Sequence, residues 1–221
     1  MDAQTELGIV RAAYAKQVLA AAGVNDSRLA QAFAAIPRED FLGPGPWLVR
    51  RWLGNYVSTP DADPVYLYTD DLVALVPERR VNNGQPSLHA HLIHQALPAA
   101  GQHVVHVGTG TGYYTAILAH LVGPSGRVTG IEFDEGLAAR AKANLAPYAN
   151  VAVIKGDGTQ AQLMAASPRR PGPIWHPMRM SPSSRATARR CRSMSPMSSM
   201  SMPAARGQRH AGSMALPTAA A

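Results

Sequence analysis

The chain has 221 residues, 46% of them apolar, which is long enough for one ordinary domain with a buried core. Its formal charge of +7 would suggest an acidic partner such as nucleic acid, but residues 1–166 hold twelve Lys and Arg against fourteen Asp and Glu, a net of −2, so the excess belongs to the end of the chain. The one cysteine, Cys191, excludes an intrachain disulfide and a cysteine-rich metal site. No run reaches the ~18 to 20 apolar residues that span a bilayer, and Asp2 and Glu6 argue against a secretory signal, so a soluble, cytoplasmic protein is expected.

Residues 4–22 set Leu7, Val10, Ala13, Tyr14, Val18 and Leu19 on one helical stripe, with Gly23 as the C-cap. Asn25, Asp26 or Ser27 can cap a second helix, which runs through Ile36 and is stopped by Pro37. Residues 41–64 read as loop with short strand pieces, and residues 65–86 mix short β-prone runs with turn signals. A helix follows over 87–97 and ends at Pro98. The clearest pattern then begins. His103–Val107 is a short buried-strand candidate, Gly108–Gly112 a glycine loop and Tyr113–Leu121 a helix; residues 127–132 form a strand, 134–145 a helix and 151–157 a third strand. Strand and helix alternating at this spacing implies right-handed crossovers and a parallel sheet.

Gly108-Thr109-Gly110-Thr111-Gly112 lies between strand and helix, where glycines allow a tight turn and the helix N-terminus attracts a carboxylate or phosphate. Glu132 ends the second strand twenty residues past Gly112, where a carboxylate can accept both hydroxyls of a ribose. That spacing suits NAD as well. Tyr113 follows the loop directly, where a dinucleotide fingerprint would continue to a third glycine two places later, and Gly156-Asp157-Gly158 ends the third strand; both details favour S-adenosylmethionine. Taken singly, Glu132 and Asp157 can also be solvated strand-end acids.

Residues 27–160 resemble the protein-L-isoaspartate O-methyltransferase family. The stretch LAQAFAAIPREDFLGP (29–44) is similar to its N-terminal helix and Pro-Arg-Glu turn, NNGQPSLHAHLI (82–93) to its Ser-Gln-Pro segment and following helix, VVHVGTGTGYYTAILAHLVGPSGRVTGIE (104–132) to its cofactor motif, and KGDGT (155–159) to its Gly-Asp-Gly. The resemblance implies an α/β, Rossmann-like methyltransferase fold. It places Gly108, Thr109, Gly110 and Gly112 along the methionine portion of S-adenosylmethionine, Glu132 at the ribose, Asp157 and Gly158 at the adenine, and Gln85 and Pro86 over the reactive end. The implied reaction is methylation of a carboxylate in damaged aspartyl residues of a protein or peptide. No individual catalytic residue and no metal ligand is assigned.

The chain departs from the family in three places. His106 stands where an acid usually precedes the glycine loop, and Gly84 stands where the family has the serine before Gln-Pro. No continuation of the sheet is recognisable after Thr159. The last 55 residues hold nine Arg, ten Ser, eight Pro and seven of the nine Met, with no acid, and read as disordered. Their composition fits a shifted reading frame of GC-rich coding DNA, which the other two frames beyond codon 160 would reveal.

Three parts are therefore expected: an N-terminal helical and substrate-side region (1–98), a partial cofactor-binding core with an incomplete parallel sheet (99–160), and a basic tail (161–221). Two alternatives stay open, a methyltransferase with a different acceptor and a truncated, noncatalytic remnant. The tail would hold nucleic acid weakly at most. In the family's sheet the first strand is central, so without its second neighbour residues 103–107 would expose an edge open to self-association. His89, His91 and His94 read as a polar helix face, and His106 as a hydrogen-bonded core histidine.

Overall fold

Helix α1 (Ala3–Ala22) begins where the Asp2 carboxylate accepts the Thr5 N–H at 2.9 Å, and it ends at Gly23, left-handed at φ 65°, whose N–H reaches back to the Ala20 and Leu19 carbonyls. Of the three candidate caps for α2 (Ser27–Ala35), Asp26 is the one used; its side chain accepts the N–H groups of Arg28 and Leu29. The two helices pack through Tyr14, Val18 and Leu19 against Leu29, Ala32 and Phe33. The computed structural model describes residues 2–50 and 54–159, so the expectations for residues 161–221 lie outside the described residues.

Four short strands follow, β1 (Leu48–Arg50), β2 (Val57–Ser58), β3 (Leu72–Val76) and β4 (Val81–Asn82), in an antiparallel sheet of order β2-β1-β3-β4. The sequence shows the pieces and hides their pairing, because strands of two to five residues joined by long loops carry no usable period. Helix α3 (Pro86–Ala96) opens on a proline, whose missing N–H would have no helical partner in any case, and stops before Pro98.

The second half alternates as expected: β5 (His103–Val107), α4 (Tyr113–Val122), β6 (Arg127–Glu132), α5 (Glu135–Asn144) and β7 (Val151–Lys155). The strands are parallel in the order β5-β6-β7, in register from His103 opposite Arg127 to Glu132 opposite Lys155. Two right-handed crossovers advancing in one direction put α4 and α5 on the same face. On that face Val104, Val128, Val151 and Val153 join the core with α4, which is buried at every position but His120 and lies under α2. Edge-to-face contacts bind the layers, with Tyr113 of α4 placed 6.3 Å from Phe33 and 5.8 Å from Phe41.

The opposite face changes the reading of residues 103–107. Val107 is 58% exposed and His103 is exposed, so β5 is not the fully buried strand its apolar run suggested. Among the described residues β5 pairs only with β6, and on the side away from α4 Val105 is half-buried while His103 and Val107 are exposed.

Among the described residues one charged side chain is completely buried. Arg38, in the Pro-Arg-Glu turn, donates to the carbonyls of Leu67, Thr69 (2.9 Å) and Asp71 (2.9 Å), and its guanidinium lies 5.9 Å from the centre of the Tyr14 ring. A buried charge is tolerated only when such dipoles replace water. Here they fasten loop 67–71 against the helical layer. The same loop presents Asp70 to the start of α3, where its carboxylate accepts from the Ser87 N–H (2.7 Å), the Ser87 hydroxyl (2.6 Å) and Gln85 Nε2 (2.9 Å). The Pro-Arg-Glu turn thereby positions the segment before α3.

Candidate functional site

The glycine loop is built by its neighbours. Ile131, one residue before the end of β6, accepts the N–H groups of Gly108 (2.8 Å) and Thr109 (3.2 Å) through its carbonyl, and the loop closes on itself from Gly112 N–H to the Thr109 carbonyl at 3.0 Å. Gly108, Gly110 and Gly112 have φ of 81°, 58° and 107°, a region that side-chain-bearing residues seldom adopt, and a Cβ on Gly112 would also collide with Leu145. Thr109 and Thr111 are buried. Glycine takes this backbone path at the least cost, which is why three glycines stand here.

Glu132 stands behind the loop, nearly buried at 8% exposure. One carboxylate oxygen accepts the Gly110 N–H at 2.7 Å and the other accepts the Asp134 N–H at 3.0 Å. Each oxygen keeps capacity for a further donor. The end of β7 lies beside it, since Gly156 N–H donates to the Glu132 carbonyl at 2.9 Å. Beyond it, Asp157 accepts through one oxygen from the Thr159 hydroxyl (2.7 Å) and N–H (2.9 Å), bonds that hold its carboxyl below the usual carboxylate range, and Gly158 lies against Val107.

A cavity of about 160 Å³ opens in front of the loop. Gly108 to Tyr114 form one wall, and Leu75, Asn82, Asn83, Gly84 and His89 form the other. Gly112 caps α4 with no side-chain hydrogen bond, leaving the helix's first amides for an anion. The Tyr114 hydroxyl donates to the Gly84 carbonyl at 3.1 Å and ties the walls together. His89 stacks on the Tyr114 ring, centroids 3.6 Å apart and planes within 5°. Burial, with the nearby His106 and Arg38, pulls the His89 pKa down to about 4, so the ring is neutral at pH 7.

Of the residues singled out from sequence, Gly108, Thr109, Gly110 and Gly112 line the cavity, while Glu132 braces the loop from behind. Asp157 and Gly158 stand at the adjoining strand end. Gln85 and Pro86 do not line the cavity: Gln85 is turned to Asp70, Pro86 is buried at the start of α3, and their neighbours Gly84 and His89 face the loop instead. The three histidines of α3 do not share one polar face. His89 packs on Tyr114, His91 is exposed, and His94 meets Asp26 at 3.3 Å. His106 matches the expectation for it, its Nδ1 sharing a 2.8 Å hydrogen bond with the Thr115 hydroxyl while burial lowers its pKa to about 4. Asn82, Asn83, Tyr114 and His89 are the site residues that sequence reasoning missed. The departure at position 84 was the available signal, because a wall without a side chain must be completed by its neighbours.

A family model, Protein-L-isoaspartate(D-aspartate) O-methyltransferase, matches residues 54–168. The chain belongs to this family. Similar members include the protein-L-isoaspartate O-methyltransferase 2 of Anaeromyxobacter sp. (33% identical over 145 residues, 65% of this chain and 51% of that protein). The enzyme of Koribacter versatilis is 34% identical over 140 residues, 62% of this chain and 53% of that protein. A solved protein-L-isoaspartate O-methyltransferase superposes with a TM-score of 0.50 at 28% identity, covering 65% of this chain and 42% of that one. A putative Plasmodium falciparum member solved with S-adenosyl-L-homocysteine shares the fold at TM-score 0.50 and 16% identity, covering 68% of this chain and 64% of that one. The chain spans about half the length of these two curated relatives. Among the described residues no helix is long and apolar enough to cross a membrane.

Proposed function

We propose that the chain is an S-adenosylmethionine-dependent O-methyltransferase acting on the carboxylate of isoaspartyl residues in proteins and peptides. The observation that carries this reading is the loop itself. Three glycines at positive φ face a cavity at an uncapped helix N-terminus, and a nearly buried glutamate holds the loop from behind. Those residues fit the cofactor. Gly108, Thr109, Gly110 and Gly112 would admit the methionine portion, whose carboxylate suits the start of α4; Glu132 would take the ribose, and Asp157 with Gly158 the adenine.

The bound cofactor supplies an electrophilic methyl group on a sulfonium. The chain's own part is alignment and exclusion of water. An acceptor carboxylate is already ionised at neutral pH, so no residue need remove a proton. The stacked His89 and Tyr114 close one side of the cavity, and the Arg38-held loop keeps Asp70 on the segment that carries Gly84. A cytoplasmic setting, at most weak nucleic-acid retention by the nine late arginines, and pairing of two chains through the β5 edge belong to the same proposal. Light scattering and salt-dependent retention on nucleic acid test the last two.

Calorimetry of the full chain with S-adenosylhomocysteine, followed by methyl transfer to an isoaspartyl peptide, tests the reading. Binding with turnover supports it. Absence of binding overturns it, and binding with methylation of a different acceptor only would replace the substrate. Gly112→Val, which forces a side chain into Leu145 at φ 107°, should abolish cofactor binding.

A further inference from the structure

Asn83 is held more firmly than a loop residue needs to be. Its N–H donates to the Val73 carbonyl at 2.9 Å, and its side-chain Oδ1 accepts the Val73 N–H at 2.8 Å. The second bond settles the orientation of the carboxamide, since only the oxygen can accept from an amide N–H. Nδ2 is then left buried with no hydrogen-bond partner, on a residue that lines the cavity. A buried donor without a partner costs stability, and in a native fold it calls for an explanation.

Position 84 supplies the second observation. Gly84 has φ 78°, and a Cβ built on it would lie 2.2 Å from His89 Nε2. The imidazole therefore occupies the space that a side chain at 84 would fill. Among the described residues neither ring nitrogen of His89 makes a hydrogen bond; the ring is held by stacking on Tyr114. Two residues with unused hydrogen-bonding capacity thus border one cavity from the wall opposite the glycine loop. Among the described residues no Lys, Arg, Asp or Glu lines that cavity, so the side-chain donors found there are neutral.

We propose that Asn83 Nδ2 and the imidazole of His89 form the seat for the acceptor carboxylate, doing together what a side chain at position 84 would otherwise do. This rests on the methyltransferase reading above. Neutral donors suit the reaction, because they orient a carboxylate without the strong pairing to a cation that would quench its nucleophilicity. They also suit the product, an uncharged ester that must leave.

The test uses the full chain and two binding partners, S-adenosylhomocysteine and an isoaspartyl peptide, with the isoasparaginyl peptide as its uncharged counterpart. Asn83→Asp keeps the acceptor for Val73 N–H and replaces the unpartnered NH2 by a charged oxygen; His89→Phe keeps the stack on Tyr114 and removes both nitrogens. Each should weaken isoaspartyl-peptide binding by about tenfold or more, the scale of one hydrogen bond to a charged group. Because both residues border the cavity that the glycine loop also lines, S-adenosylhomocysteine affinity is measured beside peptide binding, and each variant should lose clearly more peptide affinity than cofactor affinity. Asn83→Asp should in addition reverse the preference between carboxylate and carboxamide peptides, which a merely loosened fold would not do. Undiminished isoaspartyl-peptide binding in both variants overturns the seat and leaves the methyltransferase reading standing. Failure of the parent chain to bind S-adenosylhomocysteine overturns that reading and the seat with it. Should Asn83→Asp melt early, His89→Phe decides alone.

Discussion

The two faces of the three-stranded sheet are built from similar residues and are covered to different extents. On one, Val104, Val128, Val151 and Val153 pack under α4 and α5 within the same core as Tyr14 and Phe33. On the other, Val107 and Ile154 are 58% and 52% exposed on either side of Ile131, which alone of the three is buried, and Phe133, just past β6, is 72% exposed. Val, Ile and Phe alone do not bury a strand. What buries it is an element packed against it, here α4 and α5, with α2 closing over α4.

The first way to break this contrast is Phe33→Ala, which should cost about 3–5 kcal/mol in urea unfolding, as for other fully buried aromatics. If Ile154→Ala on the open face costs as much, the contrast is wrong. Next in size is Arg38→Met, expected to lose roughly 2–4 kcal/mol because the carbonyls of Leu67, Thr69 and Asp71 are left buried without donors. It should also weaken S-adenosylhomocysteine binding through the slackened loop that carries Asp70, whereas Ile154→Ala should not.

Acid sharpens the contrast from another side. His89 and His106, both on the covered side, have folded pKa values near 4, below the ordinary histidine value, so between about pH 6.5 and 4 the unfolded chain binds more protons than the folded one. Stability is therefore full above about pH 6.5 and falls as pH drops toward 4, with a limiting slope of about 1.4 kcal/mol per pH unit for each histidine. The slope measured by thermal melts should be shallower in His89→Phe than in the parent chain.

A smaller effect is expected at Asp26. Burial alone would raise its pKa, but the Leu29 N–H, His94 and the Arg28 N–H together hold it below the usual carboxylate range. Asp26→Ala should cost about 1 kcal/mol near neutral pH, as lost helix caps do. That difference should shrink as the pH falls through the carboxylate's titration. Last, Ile154→Ala should change stability by no more than about 0.5 kcal/mol.

Much of this protein is written locally. The caps at Asp2, Gly23 and Asp26, the stop at Pro98, the glycine loop and the alternation from His103 to Lys155 are short-range features, and each appears in the structure within a residue or two of its expected place. Such features are legible because capping, turn conformation and hydrophobic period depend on neighbours in the chain.

Three things were decided only by the tertiary structure. The antiparallel order β2-β1-β3-β4 depends on pairing across loops, Arg38 finds its carbonyl partners some thirty residues away, and His89 meets Tyr114 only because α3 and α4 lie side by side. A sequence lists which groups can donate, accept or stack. Which of them are left facing one cavity, as Asn83 and His89 are, follows from the burial of everything around them.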